Sequence, residues 1–205
     1  MMTKIGIINY SMGNIGSIKS ALGFYDYDVS VITHPKEIDS LDILILSGVG
    51  NFATASERLK KFKFWDKLDE EVTCNEKPVF GICLGMQIFA DKGLENGEHA
   101  GFGWIRGTVI KMEGEAIRIP HIGWNKITHH EDLLFKGILN NFFYFMHSYH
   151  FVPEEKNVEI AWTNYGGIKF VSAVRKKNIM GVQFHPEKSQ GDGLRILRNF
   201  VEMVS

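Results

Sequence analysis

Cysteine is nearly absent from this chain. Only Cys74 and Cys83 occur in 205 residues. Two thiols cannot make a disulfide framework, and such sparse use fits a reducing, cytoplasmic setting. Excess charge of either sign is also missing, with a formal net charge of −1. No basic stripe points to nucleic acid, and no polybasic run points to an anionic membrane. No apolar run approaches the ~18 residues of a spanning helix. The opening MMTKIGIINY lacks the h-region and cleavage site of a signal peptide. Repeats, low-complexity tracts and long linkers are missing too, so residues 1–205 read as one domain. At this length a chain can bury about 70% of its unfolded surface and needs no staples.

What is present is ordinary for a soluble globular protein: 44% apolar and 23% charged residues. The first half alternates strand-like and helix-like segments. Strands are expected at Lys4–Asn9, Val29–Thr33, Leu41–Leu46 and Pro78–Ile82. Helices are expected at Asn14–Tyr25, Ala53–Phe62, Trp65–Cys74 and Leu84–Asp91, with Asn14 as an N-cap. That alternation argues for an α/β fold with a parallel sheet covered on both faces. The second half reads as mostly antiparallel strands: Trp104–Met112, Ile117–Ile119, Trp124–Thr128, Phe142–Phe151, Val158–Thr163, Phe170–Arg175 and Ile179–His185. A hairpin turn is expected at Asn164–Gly167, and a helix at Gly193–Val204 closes the chain.

Between the fourth strand and its helix stands Gly81-Ile82-Cys83-Leu84-Gly85. This G-x-C-x-G is the thiol counterpart of the elbow that exposes a nucleophilic serine. Side chains at the flanking positions would clash with the neighbouring strands or helix. A thiol there sits at a helix N-terminus, where dipole and free N–H groups favour thiolate. The Leu84 N–H points toward the same space and can donate to an oxyanion. In isolation, a small buried cysteine at a strand end accounts for these five residues equally well. Cys74, in a charged helix without flanking glycines, reads as structural.

A thiol nucleophile needs a base. His185 and Glu187 in Gln183-Phe184-His185-Pro186-Glu187 are two apart, and such positions share a face in extended chain. Glu187 can therefore orient one ring nitrogen while the other faces the thiol. Pro186 places the pair at a strand end or sheet edge. Ser47-Gly48-Val49-Gly50 follows the third strand, where open α/β sheets gather ligands, and the Val49 N–H can turn toward the cavity. Gly13-Asn14-Ile15-Gly16 is too weak for a phosphate loop. Zinc on Cys83 with His147, His150 or His185 lacks any C-x-x-C or H-x-x-x-H pair. Neither a metal nor a cofactor is expected.

Taken together, GICLGMQ, VQFHPEKS and GVGNF resemble the class I (triad) glutamine amidotransferases. YSMGNIGSIKSAL, PHIGWNKI (120–127) and FYFMHSYHF (143–151) are similar to the branch that serves histidine biosynthesis. The resemblance runs from end to end. It implies a flavodoxin-like fold: a central, mostly parallel sheet flanked by helices, with added antiparallel strands. It implies Cys83 as nucleophile, His185 as base and Glu187 as orienter. Val49, Gly50 and Leu84 then form the oxyanion site, and Gly50, Gln87, Ser148 and Tyr149 hold L-glutamine. Asn14, His121, Gly123, Trp124, Asn125 and Lys188 face a partner, a synthase subunit of (β/α)8-barrel type that receives ammonia in a heterodimer. Ser47 stands where proline is usual, and Asn9 and Ser11 where aspartate and glycine are common. Two other readings stay open: a paralogous subunit feeding a sugar-amidinating synthase, and a free-standing γ-glutamyl hydrolase.

Overall fold

A computed structural model describes residues 3–114 and 117–205. The first half follows the alternation of its sequence: β1 (Lys4–Ile8), α1 (Ile15–Gly23), β2 (Asp28–Ile32), β3 (Ile43–Gly48), α2 (Phe52–Lys61), α3 (Phe64–Thr73), β4 (Val79–Cys83) and α4 (Leu84–Gln87). Next come β5 (Lys92–Gly93), β6 (His99–Ala100), β7 (Gly107–Lys111), β8 (His121–His129), β9 (Phe142–His147) and β10 (Tyr149–Pro153). The chain ends with β11 (Glu159–Tyr165), β12 (Ile168–Lys176), β13 (Ile179–Val182) and α5 (Gln190–Val204).

Nine strands form one mixed sheet in the order β2-β1-β3-β4-β13-β12-β11-β8-β9. The β2-β1-β3-β4-β13 portion is parallel, and the remainder is antiparallel. Both faces of β1, β3, β4 and β13 are buried, so these strands carry nearly continuous apolar runs, whereas edge strand β2 is buried only at Ile32. In β3, Leu44 and Leu46 enter the core under α2 and α3. Ile43 and Ile45 enter the opposite core with Ile18 and Leu22 of α1 and Ile196, Leu197 and Phe200 of α5. A second sheet, β10-β7-β5-β6, lies beside the first. The expected turn is a two-residue hairpin, with Gly166 and Gly167 both at positive φ.

Several expectations are corrected. The helix expected over Leu84–Asp91 stops at Gln87: the Phe89 and Ala90 N–H groups bond only three residues back, to the Met86 and Gln87 carbonyls, and the Asp91 N–H goes to the Gly107 carbonyl. Residues 117–119 are not a strand: they join neither sheet, and the chain enters β8 only at His121. The run 142–151 breaks at Ser148 into β9, paired with β8, and β10, paired with β7 in the other sheet. The strand expected over 179–185 ends at Val182, before Pro186 and its short 3-10 turn. Two-residue β5 and β6 carry too little periodicity to be foreseen. Asn14 occupies the N-cap position of α1 without a side-chain capping bond. Cys74 is exposed at the end of α3, so it packs into no core.

Candidate active site

Strand pairing assembles the site. Parallel register sets Gly48 of β3 beside Cys83 of β4, which brings the Val49 peptide next to the thiol. On the other side β13 runs parallel to β4 with Val182 opposite Ile82, so the chain leaving β13 passes Cys83 with Gln183 and then His185. Residues about 35 and 100 positions from Cys83 thus meet at the carboxyl ends of three adjacent strands, where open α/β sheets bind ligands.

Cys83 has φ 55° and ψ −111°, a conformation that side-chain-bearing residues rarely adopt. Such a residue costs of order 1–3 kcal/mol and is held only where its surroundings over-determine it. The surroundings here are the flanking glycines. A Cβ on Gly81 would lie 2.7 Å from the Gly85 carbonyl oxygen and the Met86 Cα, and one on Gly85 would meet the Leu46 backbone. The turn closes only because both lack side chains. Leu84 opens α4, so its N–H has no intrahelical acceptor. Gly50 has φ 113°, again a glycine conformation.

The Cys83 thiol is buried and reaches the Met146 carbonyl at 3.8 Å. His185 Nδ1 and Glu187 Oε1 are 2.9 Å apart, both side chains almost fully buried. His185 Nε2 has no hydrogen-bond partner among the described residues. Burial by itself pushes His185 toward neutrality. The charge of the Cys83 sulfur and then the Glu187 carboxylate outweigh burial and raise its pKa to about 10.

A cleft of about 380 Å³ opens over the thiol, lined by Val49, Gly50, Leu84, Gln87, Ser148 and Tyr149 together with Glu95, Met146 and His147. The sequence-predicted nucleophile, oxyanion and substrate residues therefore converge on one cavity. Two polar groups escaped sequence reasoning. Gln183, fully buried, donates from Nε2 to the Cys83 sulfur at 3.6 Å and accepts from Gln87 Nε2 at 2.9 Å. Its position two before His185 was the available signal, the same spacing that tied His185 to Glu187. Glu95 accepts the Phe52 N–H at 2.8 Å and, after burial, helps raise the Tyr149 hydroxyl's pKa. It lies in the segment whose fold was not foreseen, so nothing signalled it.

The residues expected to face a partner divide. Trp124 is 45% exposed, and Ile122 beside it 57%. Lys188 is exposed with its Nζ 5.6 Å over the Tyr144 ring, and Trp124 meets that ring edge-on. Asn14, Gly123 and Asn125 are half-buried. His121 is buried, stacked on Tyr165 and Phe145, and offers nothing to a partner directly. Strand alternation is the reason, since His121 and Ile122 take opposite faces of β8. Among the described residues no cluster of His, Cys, Asp and Glu could hold a metal ion, and no helix is long and apolar enough to cross a membrane.

A thiol elbow, a histidine–carboxylate pair and an adjoining glycine strand at the ends of parallel strands define a class of amide-hydrolysing enzymes. The chain belongs to the class I glutamine amidotransferase family, whose model matches residues 7–204. It is 44% identical to imidazole glycerol phosphate synthase subunit HisH 1 of Methanococcus maripaludis, over 98% of this chain and all of that protein. It is 42% identical to subunit HisH of Pyrococcus furiosus, over 97% of this chain and 98% of that protein. Among solved structures, the fold matches PurLQS from Thermotoga maritima with TM-score 0.75 at 16% identity, covering both chains completely. It also matches the crystal structure of a glutamine amidotransferase with TM-score 0.77 at 19% identity, over 98% of this chain and 98% of that one.

Proposed function

We propose that residues 1–205 act as one cytoplasmic glutamine amidotransferase domain. It hydrolyses L-glutamine and hands the ammonia to a synthase subunit making imidazole glycerol phosphate in histidine biosynthesis. The observation that carries the reading is the meeting of Cys83, on its positive-φ elbow at the floor of the cleft, with the buried His185–Glu187 pair.

Cys83 sulfur attacks the carboxamide carbon of glutamine. The N–H groups of Leu84 and Val49 receive the oxyanion, each donor worth roughly a hundred- to thousandfold in rate. His185 Nε2 gives its proton to the leaving nitrogen, ammonia departs, and a γ-glutamyl thioester remains. His185 then takes a proton from water, hydroxide attacks the thioester carbon, and the thiolate is released with glutamate. Glu187 holds the imidazole throughout. Glu95 is suited to the substrate's ammonium, and the Ser148–Tyr149 backbone to its carboxylate.

Free ammonia in water becomes ammonium and loses its nucleophilicity, so hydrolysis is useful only beside an acceptor site. The β8–β9 register puts Ile122, Trp124, Tyr144 and Met146 on one face, and Met146 also lines the cleft. That apolar face, with Lys188 over its Tyr144 ring, runs to the mouth of the cavity and suits a (β/α)8-barrel partner; Asn14 and Gly123 extend the contact surface, while the Asn125 side chain turns to the His121 side of β8 and acts only from behind it. Glutaminase assays of the chain with and without its synthase subunit test the reading. Turnover should rise steeply in the complex and vanish with Cys83→Ala. Full activity in the isolated chain, unchanged by the subunit, would identify a free-standing hydrolase instead. The aminated product formed by the complex separates histidine biosynthesis from sugar amidination.

A further inference from the structure

His121 and His147 are buried, and the chemistry above uses neither. His147 Nδ1 lies 2.9 Å from the Tyr149 carbonyl. His121 Nδ1 lies 3.1 Å from His147 Nε2, and Asn125 Nδ2 lies 3.3 Å from His121 Nε2. The far end of this chain is fixed as well. Asn125 Nδ2 also donates to the Asn164 carbonyl, and Asn125 Oδ1 accepts the Lys126 N–H.

These contacts dictate the protons. A carbonyl oxygen only accepts, so His147 Nδ1 carries hydrogen. Burial drives the pKa of His147 down to about 3 and that of His121 to about 4, so both rings are neutral near pH 7. A neutral ring with hydrogen on Nδ1 accepts at Nε2. His121 Nδ1 must therefore donate to His147, and Asn125 must donate to His121. The Tyr149 carbonyl at the end also accepts from Gln87 Nε2 at 2.8 Å. Gln87 in turn donates to Gln183, and Gln183 to the Cys83 sulfur. One continuous set of hydrogen bonds runs from β8, whose opposite face is the exposed Ile122–Trp124 surface, to the nucleophile.

We infer that His147, locked in its Nδ1–H tautomer by His121, is a positioning residue that holds the Ser148–Tyr149 corner for glutamine and ties that corner to the partner-facing strand β8. The corner needs such a hold. The chain there leaves one sheet for another at Ser148, and neither ladder fixes it alone. This rests on the glutaminase reading for what the corner binds, but not for the proton arrangement.

Two measurements test it. Nitrogen-15 NMR of the histidine rings in the full chain at pH 7 should show both rings neutral and protonated on Nδ1. Either ring protonated on Nε2, or on both nitrogens, overturns the inference whatever the enzyme does. In the assembled complex, His147→Phe should raise KM for glutamine about tenfold, the worth of one hydrogen bond, with a much smaller change in kcat. His147→Asn keeps a donor where Nδ1 stood and should recover most of that loss. His121→Phe, which preserves the stacking on Tyr165 and Phe145, should raise KM several-fold by releasing the tautomer. Equal KM values in the parent and all three variants would mean that the pair is only core. If the parent complex hydrolyses no glutamine, the functional reading fails while the tautomer result stands on its own.

Discussion

Gly85→Ala isolates the elbow from the groups that react. The added Cβ would lie 2.6 Å from the Leu46 carbonyl carbon, nearer still to its oxygen, and 3.1 Å from Ser47 Cα. All of these are backbone atoms, so no rotamer relieves the clash. Reaching ordinary contact at 3.4 Å requires α4 and the end of β3 to part by at least 0.8 Å. Those two segments carry the Leu84 N–H and the Gly48-Val49 peptide, the two proposed oxyanion donors. A misplacement near 1 Å costs about a hundredfold in rate, or about 2.7 kcal/mol of barrier. Overpacking costs a further 1–3 kcal/mol of stability. Gly16→Ala is the control: it sits in α1 with nothing within 4 Å of the added carbon, and it should be neutral or stabilising by up to about 1 kcal/mol. The assay is glutaminase kcat in the synthase complex at a temperature where denaturation curves show both variants folded. A folded Gly85→Ala variant with parental kcat would refute the account of the elbow.

His185→Asn should lower turnover about as far as Cys83→Ala, because members of such a unit are not additive, whereas Cys74→Ala, at an exposed position, should leave turnover near parental. Glu187→Gln should cost less. It also removes a charge that holds the His185 pKa up, so the alkaline limb of its pH–rate profile should move to lower pH, and an unmoved limb would contradict the pairing. Burial lowers the pKa of His121 to about 4, so its contribution to stability is complete above the unfolded value near 6.5 and is lost as pH falls toward 4. Between pH 7 and pH 5 the loss is about 2 kcal/mol. His121→Phe should lose correspondingly less stability over that interval in urea unfolding, and equal losses in parent and variant would show that the ring is not buried neutral.

The strands and helices of the first half were legible because the helices bury one face, so their apolar residues recur with period 3.6, while the inner strands are buried on both faces and read as short continuous apolar runs. The elbow was legible for a related reason: only glycine fits where backbone meets backbone at Gly81 and Gly85. The His185–Glu187 pairing could be read because it depends on a spacing of two. The extent of α4 was not legible, since the Asp91 N–H that would have continued the helix goes to the Gly107 carbonyl, a partner no local pattern announces. Nor was the break at Ser148, where an unbroken apolar run serves two sheets. The inward turn of His121 and the places of Gln183 and Glu95 also depended on the fold. Sequence by itself settles what a local period or a steric limit imposes. Which strand lies beside which, and so that Gly48, Cys83 and Gln183 stand at neighbouring strand ends, is set by pairings between residues 35 and 100 positions apart. Such pairings are chosen by the burial of the whole sheet rather than by any segment of it.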